Sequence, residues 1–222
     1  MKPLMGALVF ASLLLPIPSL QAAVYYIATT GNDTNPGTLA LPWRNITRAA
    51  TVLTAGDSVY IRSGSYSERV VPRNSGTAAA EILYSNYPAE AVTVDGSAVV
   101  LAGFQGLFHI GGKNHIRVSG IRVQDAGPDL QTPGFLVMAC NFVTVQSCST
   151  YNTRSSGIGV WNSENIIVEG CDISLACNDG GQECLSVAQS ASVIVRNNVV
   201  RDGGPGTNGG EGSSCGDSGQ VN

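Results

Sequence analysis

The nine residues NIIVEGCDI (165–173) decide the fold of this chain, because their pattern recurs on both sides of them. HIRVSGIRV (115–123) and FVTVQSCST (142–150) precede the segment, and SVIVRNNVV (192–200) follows it. The successive offsets are 27, 23 and 27 residues, and each copy is rich in β-branched residues interrupted by Gly, Ser or Asn. Irregular repeats of this length without a helical period are typical of a solenoid whose unit is one coil of strands.

Strand alternation predicts which side chains line the interior of this solenoid. Every second side chain of a strand points to the same face, and stacked coils lie about 4.8 Å apart. We therefore expect three inward columns of equivalent residues: Ile116, Val143, Ile166 and Val193; Val118, Val145, Val168 and Val195; and Ile121, Cys148, Cys171 and Asn198.

A second strand precedes each copy, in LFHIG (107–111), GFLVM (134–138), GIGVW (157–161) and CLSVA (184–188). Alternation predicts two further inward columns: Phe108, Phe135, Ile158 and Leu185; and Ile110, Val137, Val160 and Val187. The fold class is therefore all-β, a single-stranded parallel solenoid.

The end of the chain repeats the coil once more. GGQECLSVAQSASV (180–193) returns at an offset of 28 residues as NGGEGSSCGDSGQV (208–221), which would stack Leu185 with Ser213 and Val187 with Cys215. No polar helix or closing loop follows, although a solenoid normally caps both ends. We expect an uncapped C-terminal end. Either the chain is the front part of a longer protein, which we favour, or the bare end meets a partner.

The N-terminal region has a different pattern. Trp43, Ile46, Ala49, Ala50 and Leu53 recur at helical spacing, which predicts a short amphipathic helix between two strands. Such a helix would cover the open first coil, whose unpaired backbone is otherwise a sticky edge. We assign a cap region to 24–57 and the coils to 58–222.

The N-terminal segment and the net charge indicate the compartment and the partners of the protein. Residues 1–23 combine Lys2, an apolar run from Leu4 to Leu15 and small residues before the expected cleavage point, which indicates a signal peptide and a secreted or periplasmic product. The run is shorter than the ~20 residues that span a bilayer, so no membrane span is expected. A net charge of −4 argues against nucleic acid as a partner. We expect a monomer.

The six cysteines allow 15 pairings, which the spacing does not resolve. Cys148 and Cys171 should lie near 5 Å apart on adjacent coils, which suits a disulfide or two buried thiols equally. Cys177 and Cys184 bracket a loop and would be able to staple it. Zinc is not expected, because no His lies near these cysteines.

The chain resembles a known family at two places. YYIATTGNDTNPGT (25–38) with AGDSVYIRSGSYSERV (55–70) is similar to the N-terminal signature of secreted right-handed parallel β-helix proteins of the pectin-lyase-like superfamily. The coils containing GGQECLSV (180–187) and GGEGSSCG (209–216) resemble a Gly-Gly-Glu coil of such proteins. The resemblance runs from about Val24 to the end. It implies a right-handed helix and an acidic polysaccharide as partner, near the lyases of pectate, alginate and chondroitin.

The resemblance also implies a reaction, the abstraction of a proton beside a uronate carboxylate, usually assisted by Ca²⁺. Calcium needs clustered oxygen ligands. Asp179 and Glu183 share the loop CNDGGQE (177–183), and Glu211 is equivalent to Glu183 one coil later. Stacked carboxylates repel unless a cation or proton lies between them, so these three are the candidate calcium ligands. The alternative is a set of solvated loop acids.

The catalytic base is harder to assign, and enzymatic activity is left open. Resembling coils carry a Lys where this chain has Ala188 and Gly216. The basic candidates are Arg154, Arg196 and Arg201, although the high pKa of arginine opposes the role. Arg196 has an alternative role, a surface ion pair with Glu169 one coil away.

Three residues are candidates for substrate binding: Trp161, His109 and Arg154. An outward-facing indole above Met138 can stack on a sugar ring. The alternative for Trp161 is packing beneath a long loop, such as DAGPDLQTPG (125–134). His109 should point outward from the same face, where an isolated His is also common as a packed residue.

Three functions fit these residues. The first is a secreted, Ca²⁺-assisted lyase of a uronate-containing polysaccharide. The second is a non-catalytic carbohydrate-binding or surface β-helix protein, which the missing Lys favours. The third is a glycoside hydrolase in which Asp179, Glu183 or Asp202 would supply acid and base, and the carboxyl separation would test it.

Overall fold

The computed structural model describes residues 22–178, 183–203 and the backbone of 219–221. These residues form an all-β solenoid in which each complete coil contributes one strand to each of three sheets, A, B and C. In a complete coil the chain passes from sheet C to sheet A and then to sheet B. The predicted fold class is confirmed.

Sheet A contains β1 (Val24–Ile27), β2 (Ser58–Ile61), β4 (Ile82–Asn86), β7 (Asn114–Ser119), β10 (Asn141–Gln146), β13 (Glu164–Glu169) and β16 (Ala191–Arg196). Sheet B contains β3 (Gly64–Tyr66), β5 (Val92–Asp95), β8 (Ile121–Gln124), β11 (Ser149–Tyr151), β14 (Asp172–Ser174), β17 (Asn198–Arg201) and β18 (Gly219–Val221). Sheet C contains β6 (Phe108–Gly111), β9 (Phe135–Met138), β12 (Ile158–Trp161) and β15 (Leu185–Ala188). The helix α1 (Ile46–Val52) is the only one in the described ranges.

The strands pair in the register that the repeats predict. In sheet A, Val143 lies between Ile116 and Ile166, and in sheet C, Phe135 lies between Phe108 and Ile158. These side chains are buried, and the rings of Phe108 and Phe135 pack against each other at a tilt of 36° with their centroids 5.4 Å apart. Stacking of equivalent apolar residues therefore builds one continuous core along the solenoid.

A turn of one or two residues, whose first residue lies in the left-handed region, joins sheet A to sheet B in successive coils. Gly120, Ser147, Gly170 and Asn197 occupy it with φ of 67°, 50°, 62° and 56°. At Gly120 the turn requires glycine, because a Cβ there would lie 2.0 Å from Oδ1 of Asn86. The turn is at most two residues long, which explains why the strands on either side of it form a single motif in the sequence.

The predicted capping helix is present, but it begins later than its apolar spacing suggested. Trp43 precedes α1 and forms a parallel bridge with Ile27 in β1. Ile46 and Ala49 are buried in the core at the first coil, so the helix covers apolar residues there. The carboxylate of Glu68 accepts the backbone N–H of Ile46 at 2.8 Å, which satisfies an N–H of the first turn.

Cys148 and Cys171 are reduced, which is one of the two states that the sequence left open for this pair. Cys148 and Cys171 occupy the predicted inward column as buried free thiols. Cys177 is also a free thiol and Cys184 is disulfide-bonded, so the predicted staple between Cys177 and Cys184 is wrong. Asn198 ends this column, and its amide accepts the N–H of Cys171 at 2.8 Å and donates to the carbonyl of Val168 at 2.9 Å.

The last described segment differs from the coils before it. β18 pairs with β17 in antiparallel register, with Val199 opposite Gln220. This pairing supplies hydrogen-bond partners to the backbone at the edge of sheet B. In a regular solenoid the next parallel coil would supply these partners. Ser213 and Cys215, on which Leu185 and Val187 are predicted to stack, lie outside the described residues, as does the predicted signal peptide up to residue 21. No described helix is both long and apolar enough to span a bilayer.

Candidate functional site

The outward side chains of sheet C form two columns, which we call the C face. They are His109, Leu136, Gly159 and Ser186 in one column, and Gly111, Met138, Trp161 and Ala188 in the other. The loop 96–107, which joins sheet B to sheet C, lies against this face, because a Cβ on Gly106 would approach the Cβ of Leu136 to 2.6 Å. Leu136 is therefore fully buried although it points away from the core.

Trp161 lies on the C face, but most of its ring is covered. The indole folds back over Gly159, where an added Cβ would meet the ring at 3.2 Å. Its Nε1 lies 3.2 Å from the hydroxyl of Ser186, and the ring of Phe104 packs edge-on against it at 5.6 Å. Trp161 is 8% exposed and Phe104 is 52% exposed. The covering residue comes from loop 96–107 and not from the predicted 125–134 insert.

Beside the indole lies a surface pocket of about 300 Å³, which we call the corner cleft. Its lining residues are Phe104, Met138, Trp161, Asn162, Ala188 and Gln189. Asn162 and Gln189 also line a groove of about 670 Å³ at the turn from sheet C to sheet A. The cleft and the groove are therefore neighbours at this corner of the solenoid, separated by Asn162 and Gln189.

The groove at the turn is built from hydrogen-bonded polar side chains. The hydroxyl of Ser163 accepts the N–H of Cys140 at 3.1 Å, and the hydroxyl of Ser190 accepts the N–H of Ser163 at 3.1 Å. One coil lower on the same corner, Oδ1 of Asn114 accepts the N–H of Asn141 at 2.9 Å. These bonds hold the turns in a fixed stack, and the groove walls present amides and hydroxyls.

Together the corner cleft and its groove have the composition of a sugar-binding surface. Aromatic rings offer faces for the C–H groups of a pyranose, and side-chain amides donate to and accept from hydroxyl groups. Glu164 is the only charged residue that lines either pocket, among those the structure describes. The surface thus fits the neutral part of a sugar and does not explain how an acidic group would be bound.

A second feature of the C face is a contact between Arg69 and His109. Nη2 of Arg69 lies 2.9 Å from Nδ1 of His109, and Nε of Arg69 donates to the carbonyl of Gly106 at 3.1 Å. Because the guanidinium always carries its protons, Nδ1 acts as the acceptor and the imidazole is neutral. Burial, and then the charge of Arg69, lower the pKa of His109 to about 4. His109 is 8% exposed, so its own ring offers little surface to a ligand.

Arg154 lies in a different pocket, of about 560 Å³, between the loops that follow sheet B. Its backbone N–H donates to the carbonyl of Ala126 at 3.0 Å, and its side chain runs over Gly127, where a Cβ would approach Cγ of Arg154 to 2.8 Å. Asp125 and Asn152 line the same pocket. Arg154 and Trp161, both predicted to bind substrate, therefore line separate pockets, and the role of Arg154 stays a prediction.

Arg196 and Arg201, the candidate bases, both form ion pairs. Arg196 pairs with Glu169 at 2.6 Å on the outer side of sheet A, which is the alternative role that the sequence indicated. Arg201 pairs with Asp172 at 2.6 Å on sheet B, and this bond raises the pKa of Arg201 further. A raised pKa opposes proton abstraction, and neither residue belongs to the C face.

The predicted calcium ligands are only partly described. Asp179 and Glu211 lie outside the described residues, and Glu183 is exposed. Burial, with a smaller contribution from the carboxylate of Glu183, raises the pKa of Cys177 to about 12. Within residues 22–178 and 183–203, no three His, Cys, Asp or Glu side chains are grouped in a way that could hold a metal. The calcium site stays a prediction.

The sequence pattern does not indicate two residues that lie at the C face, Arg69 at its lower end and Phe104 in the loop that covers it. Arg69 precedes Val70, which forms a parallel bridge with Phe108, so a fifth sheet C position extends below β6, and we count its outward residue Arg69 as part of the C face. Alternation from Val70 would have placed its neighbours on the outer face. Phe104 lies in a loop without a repeat, so no sequence signal indicates its position.

Comparison with known proteins agrees with this architecture. Residues 25–183 match the family described as Pel9A-like, right handed beta helix region. The chain is 36% identical over 101 residues to the uncharacterized protein YwoF of Bacillus subtilis (strain 168), which is 45% of this chain and 22% of that protein. It is 36% identical over 90 residues to the pectate lyase PEL9 of Emericella nidulans, which is 40% of this chain and 21% of that protein.

The crystal structure of pectate lyase Pel9A has the same fold, with a TM-score of 0.62 at 13% identity over 88% of this chain and 58% of that chain. The matched regions span about a fifth of each of the two curated relatives. The family match, by contrast, extends over most of the present sequence. The chain therefore belongs to the Pel9A-like family of right-handed β-helix proteins.

Proposed function

We propose that the protein binds an acidic, uronate-containing polysaccharide along the C face, outside the cell, and that it takes part in lyase chemistry on that polymer. The corner cleft is the observation that carries this proposal. It places the exposed ring of Phe104, the uncovered edge of Trp161 and the amides of Asn162 and Gln189 side by side on a Pel9A-like β-helix. The relative PEL9 and the structural neighbour Pel9A are both named pectate lyases, which supports an acidic polymer as the ligand.

The cleft favours a polymer over a small ligand. It is open to solvent and adjoins the groove at the turn, so a chain of sugars would be able to extend from one pocket to the other. Asn162 and Gln189, which line both pockets, offer both donors and acceptors to hydroxyl groups. The fixed turns beneath them keep these amides in place, which lowers the entropic cost of binding.

Lyase chemistry requires a base beside the proton that is lost. Ala188 stands at the end of β15 beside Trp161, at the place where resembling coils carry Lys, so this position does not supply the base. Calcium would neutralise the uronate carboxylate, but Glu183 is the only predicted ligand among the described residues. It does not supply the six to eight oxygens that the ion takes. No step is therefore derived through calcium.

A non-catalytic role in polysaccharide binding is the second candidate. It is favoured by Ala188, which occupies the place of the Lys that would act as the base. Both candidates predict binding at the corner cleft. They differ in whether the polymer is cleaved, so one assay separates them.

The test is to incubate the protein with polygalacturonate, alginate and chondroitin, with and without added Ca²⁺, and to follow the absorbance of unsaturated products. Affinity electrophoresis in gels containing each polymer measures binding in parallel. Retardation together with unsaturated products supports the lyase proposal, and retardation without cleavage supports the binding protein. New reducing ends without unsaturation would indicate a hydrolase. Failure to retard or cleave any of the three acidic polymers would refute the proposed function.

A further inference from the structure

We propose that Arg69 is a carboxylate-binding residue of the C face and that His109 is its positioning residue. The proposal deepens the proposed function and rests on it, because it names the group that would recognise the acidic part of the polysaccharide. The corner cleft fits only the neutral part of a sugar, so an acidic polymer needs a separate cationic contact.

The guanidinium of Arg69 is held at two of its three nitrogens. Nε donates to the carbonyl of Gly106, and Nη2 contacts Nδ1 of His109. Both partners are neutral, so they fix the orientation of the group without neutralising its charge. A fixed, planar fork of donors is the arrangement that binds a carboxylate through two parallel hydrogen bonds.

The third nitrogen, Nη1, remains available. Of the carboxylates that the structure describes, none lies within the 4.0 Å of an ion pair with Arg69, whereas Arg62, Arg117 and Arg196 each have such a partner. Nη1 has no hydrogen-bond partner in this part of the chain, and it is not among the buried polar atoms without partners, so it reaches solvent.

Holding this cation in a half-buried place without a counter-charge is costly. Burial lowers the pKa of Arg69, which shows that the environment disfavours its charge. Two hydrogen bonds to neutral acceptors compensate only in part. An anion supplied by a ligand would complete the pairing.

The position of Arg69 connects it to the corner cleft. Its acceptor, Gly106, is two residues from Phe104, the ring that packs on Trp161. The bridge between Val70 and Phe108 places Arg69 one coil below β6, which is three strand spacings, about 14 Å, from β12. One extended polysaccharide running up the C face could therefore contact both. Its sugar rings would lie at the cleft and one of its carboxylates at Arg69.

The first experiment measures the carboxylate contact itself. The side-chain Nε–H signal of Arg69 is identified in ¹⁵N-labelled protein by its loss in Arg69→Lys, and the protein is titrated with galacturonate and, separately, with galactose. We expect a saturable shift with galacturonate that galactose does not produce. A signal that does not move with galacturonate overturns the proposal, whatever the polymer assays show.

The second experiment compares polygalacturonate with its fully methyl-esterified form. We expect Arg69→Gln to weaken binding of the acid form at least 10-fold and to leave the ester unchanged, and Arg69→Lys to recover part of the loss. Arg117→Gln, which removes a paired arginine from sheet A, is the matched control and should not change either affinity. Far-UV circular dichroism establishes that each variant is folded.

The outcomes separate the two proposals. Binding of polygalacturonate that Arg69→Gln leaves intact overturns the role of Arg69 but not the proposed function. If the protein binds neither polymer while the Arg69 signal still responds to galacturonate, the proposed polymer is wrong and the carboxylate site stands. The positioning role of His109 is tested by His109→Leu, which removes the acceptor. It should reduce acid-form affinity, and His109→Gln should rescue it.

Discussion

The indole nitrogen of Trp161 donates to the hydroxyl of Ser186, one coil further along sheet C, at 3.2 Å. This bond and the ring of Phe104 hold the indole in one orientation over Gly159. The aromatic wall of the corner cleft is therefore set before any ligand arrives, which lowers the entropic cost of binding.

We expect Phe104→Ala to weaken polygalacturonate binding roughly 3- to 10-fold, because an aromatic contact contributes about 0.5–1.5 kcal/mol. Trp161→Ala should have an effect at least as large. Affinity electrophoresis measures the change. Phe142→Ala is the matched control, since Phe142 is an exposed aromatic residue that stacks on His115 on sheet A. An equal loss in Phe142→Ala would mean that binding does not depend on the C face.

The pKa of His109 predicts acid sensitivity of the fold. The folded protein keeps His109 neutral down to about pH 4, whereas in the unfolded chain it takes up a proton near its ordinary pKa of 6.5. The unfolded state therefore binds more protons between these values. Stability from this group is complete above pH 6.5 and falls as the pH decreases towards 4, by on the order of 3 kcal/mol.

Urea unfolding at pH 7.0 and pH 4.5 measures this loss. His109→Gln keeps an acceptor for Arg69 without a titrating group, so it should lose less stability on acidification than the wild type. His115→Gln, on sheet A, serves as the control and should retain the wild-type dependence. The assignment to His109 fails if both variants respond to acid as the wild type does.

The interior of the solenoid could be predicted from sequence because it is periodic. Ile116 and Val143 face each other in the structure since residues one coil apart must stack, and strand alternation alone decides that they point inward. The same argument placed Trp161 on the outer face of sheet C. It could not show that the ring is covered, because Phe104 comes from a loop without a repeat.

The contacts of Arg69 also could not be predicted from the repeats. Its importance comes from the carbonyl of Gly106 and the ring of His109, residues about 40 positions later in the chain. Neither partner is an acidic residue, so the sequence contains no opposite charge that would indicate a partner for Arg69. Repeats predict what lies above and below a residue, whereas loop contacts depend on the three-dimensional path of the chain.

Asn198 is predicted to be a main determinant of stability at its end of the inward column. It is completely buried, and its amide satisfies the N–H of Cys171 and the carbonyl of Val168. Asn198→Leu keeps the size but leaves both backbone groups without partners, at about 1–3 kcal/mol for each. We expect a loss of about 2–4 kcal/mol in urea unfolding.

The control for Asn198 is Gln146→Leu. Gln146 is also a hydrogen-bonded amide, but it lies half-buried on the outer side of sheet A. Water can therefore take over the hydrogen bonds that its side chain makes. This variant should lose less than about 1 kcal/mol. Equal losses in the two variants would show that the burial of the Asn198 amide does not matter.

The four free thiols Cys140, Cys148, Cys171 and Cys177 are predicted to be inert in the folded protein. All are buried, and burial raises the pKa of Cys171 to about 11 and that of Cys177 to about 12. The reactive thiolate is therefore scarce at pH 8, and a thiol reagent such as Ellman's reagent has no access to the buried sulfur atoms. An Ellman titration should find these four unreactive in buffer and reactive in 6 M guanidinium chloride without a reductant.

Peptide mapping after alkylation in denaturant identifies which cysteines were free. The interpretation requires Cys148 and Cys171 to carry the alkyl group and Cys184 to remain protected until a reductant is added. A Cys148–Cys171 linked peptide would contradict it, and the inward column would then contain a covalent bond between adjacent coils. Because buried thiols pack as small apolar groups, Cys148→Ala should cost about 1 kcal/mol. Loss of a disulfide would cost 2–5 kcal/mol, so the two states also differ in unfolding.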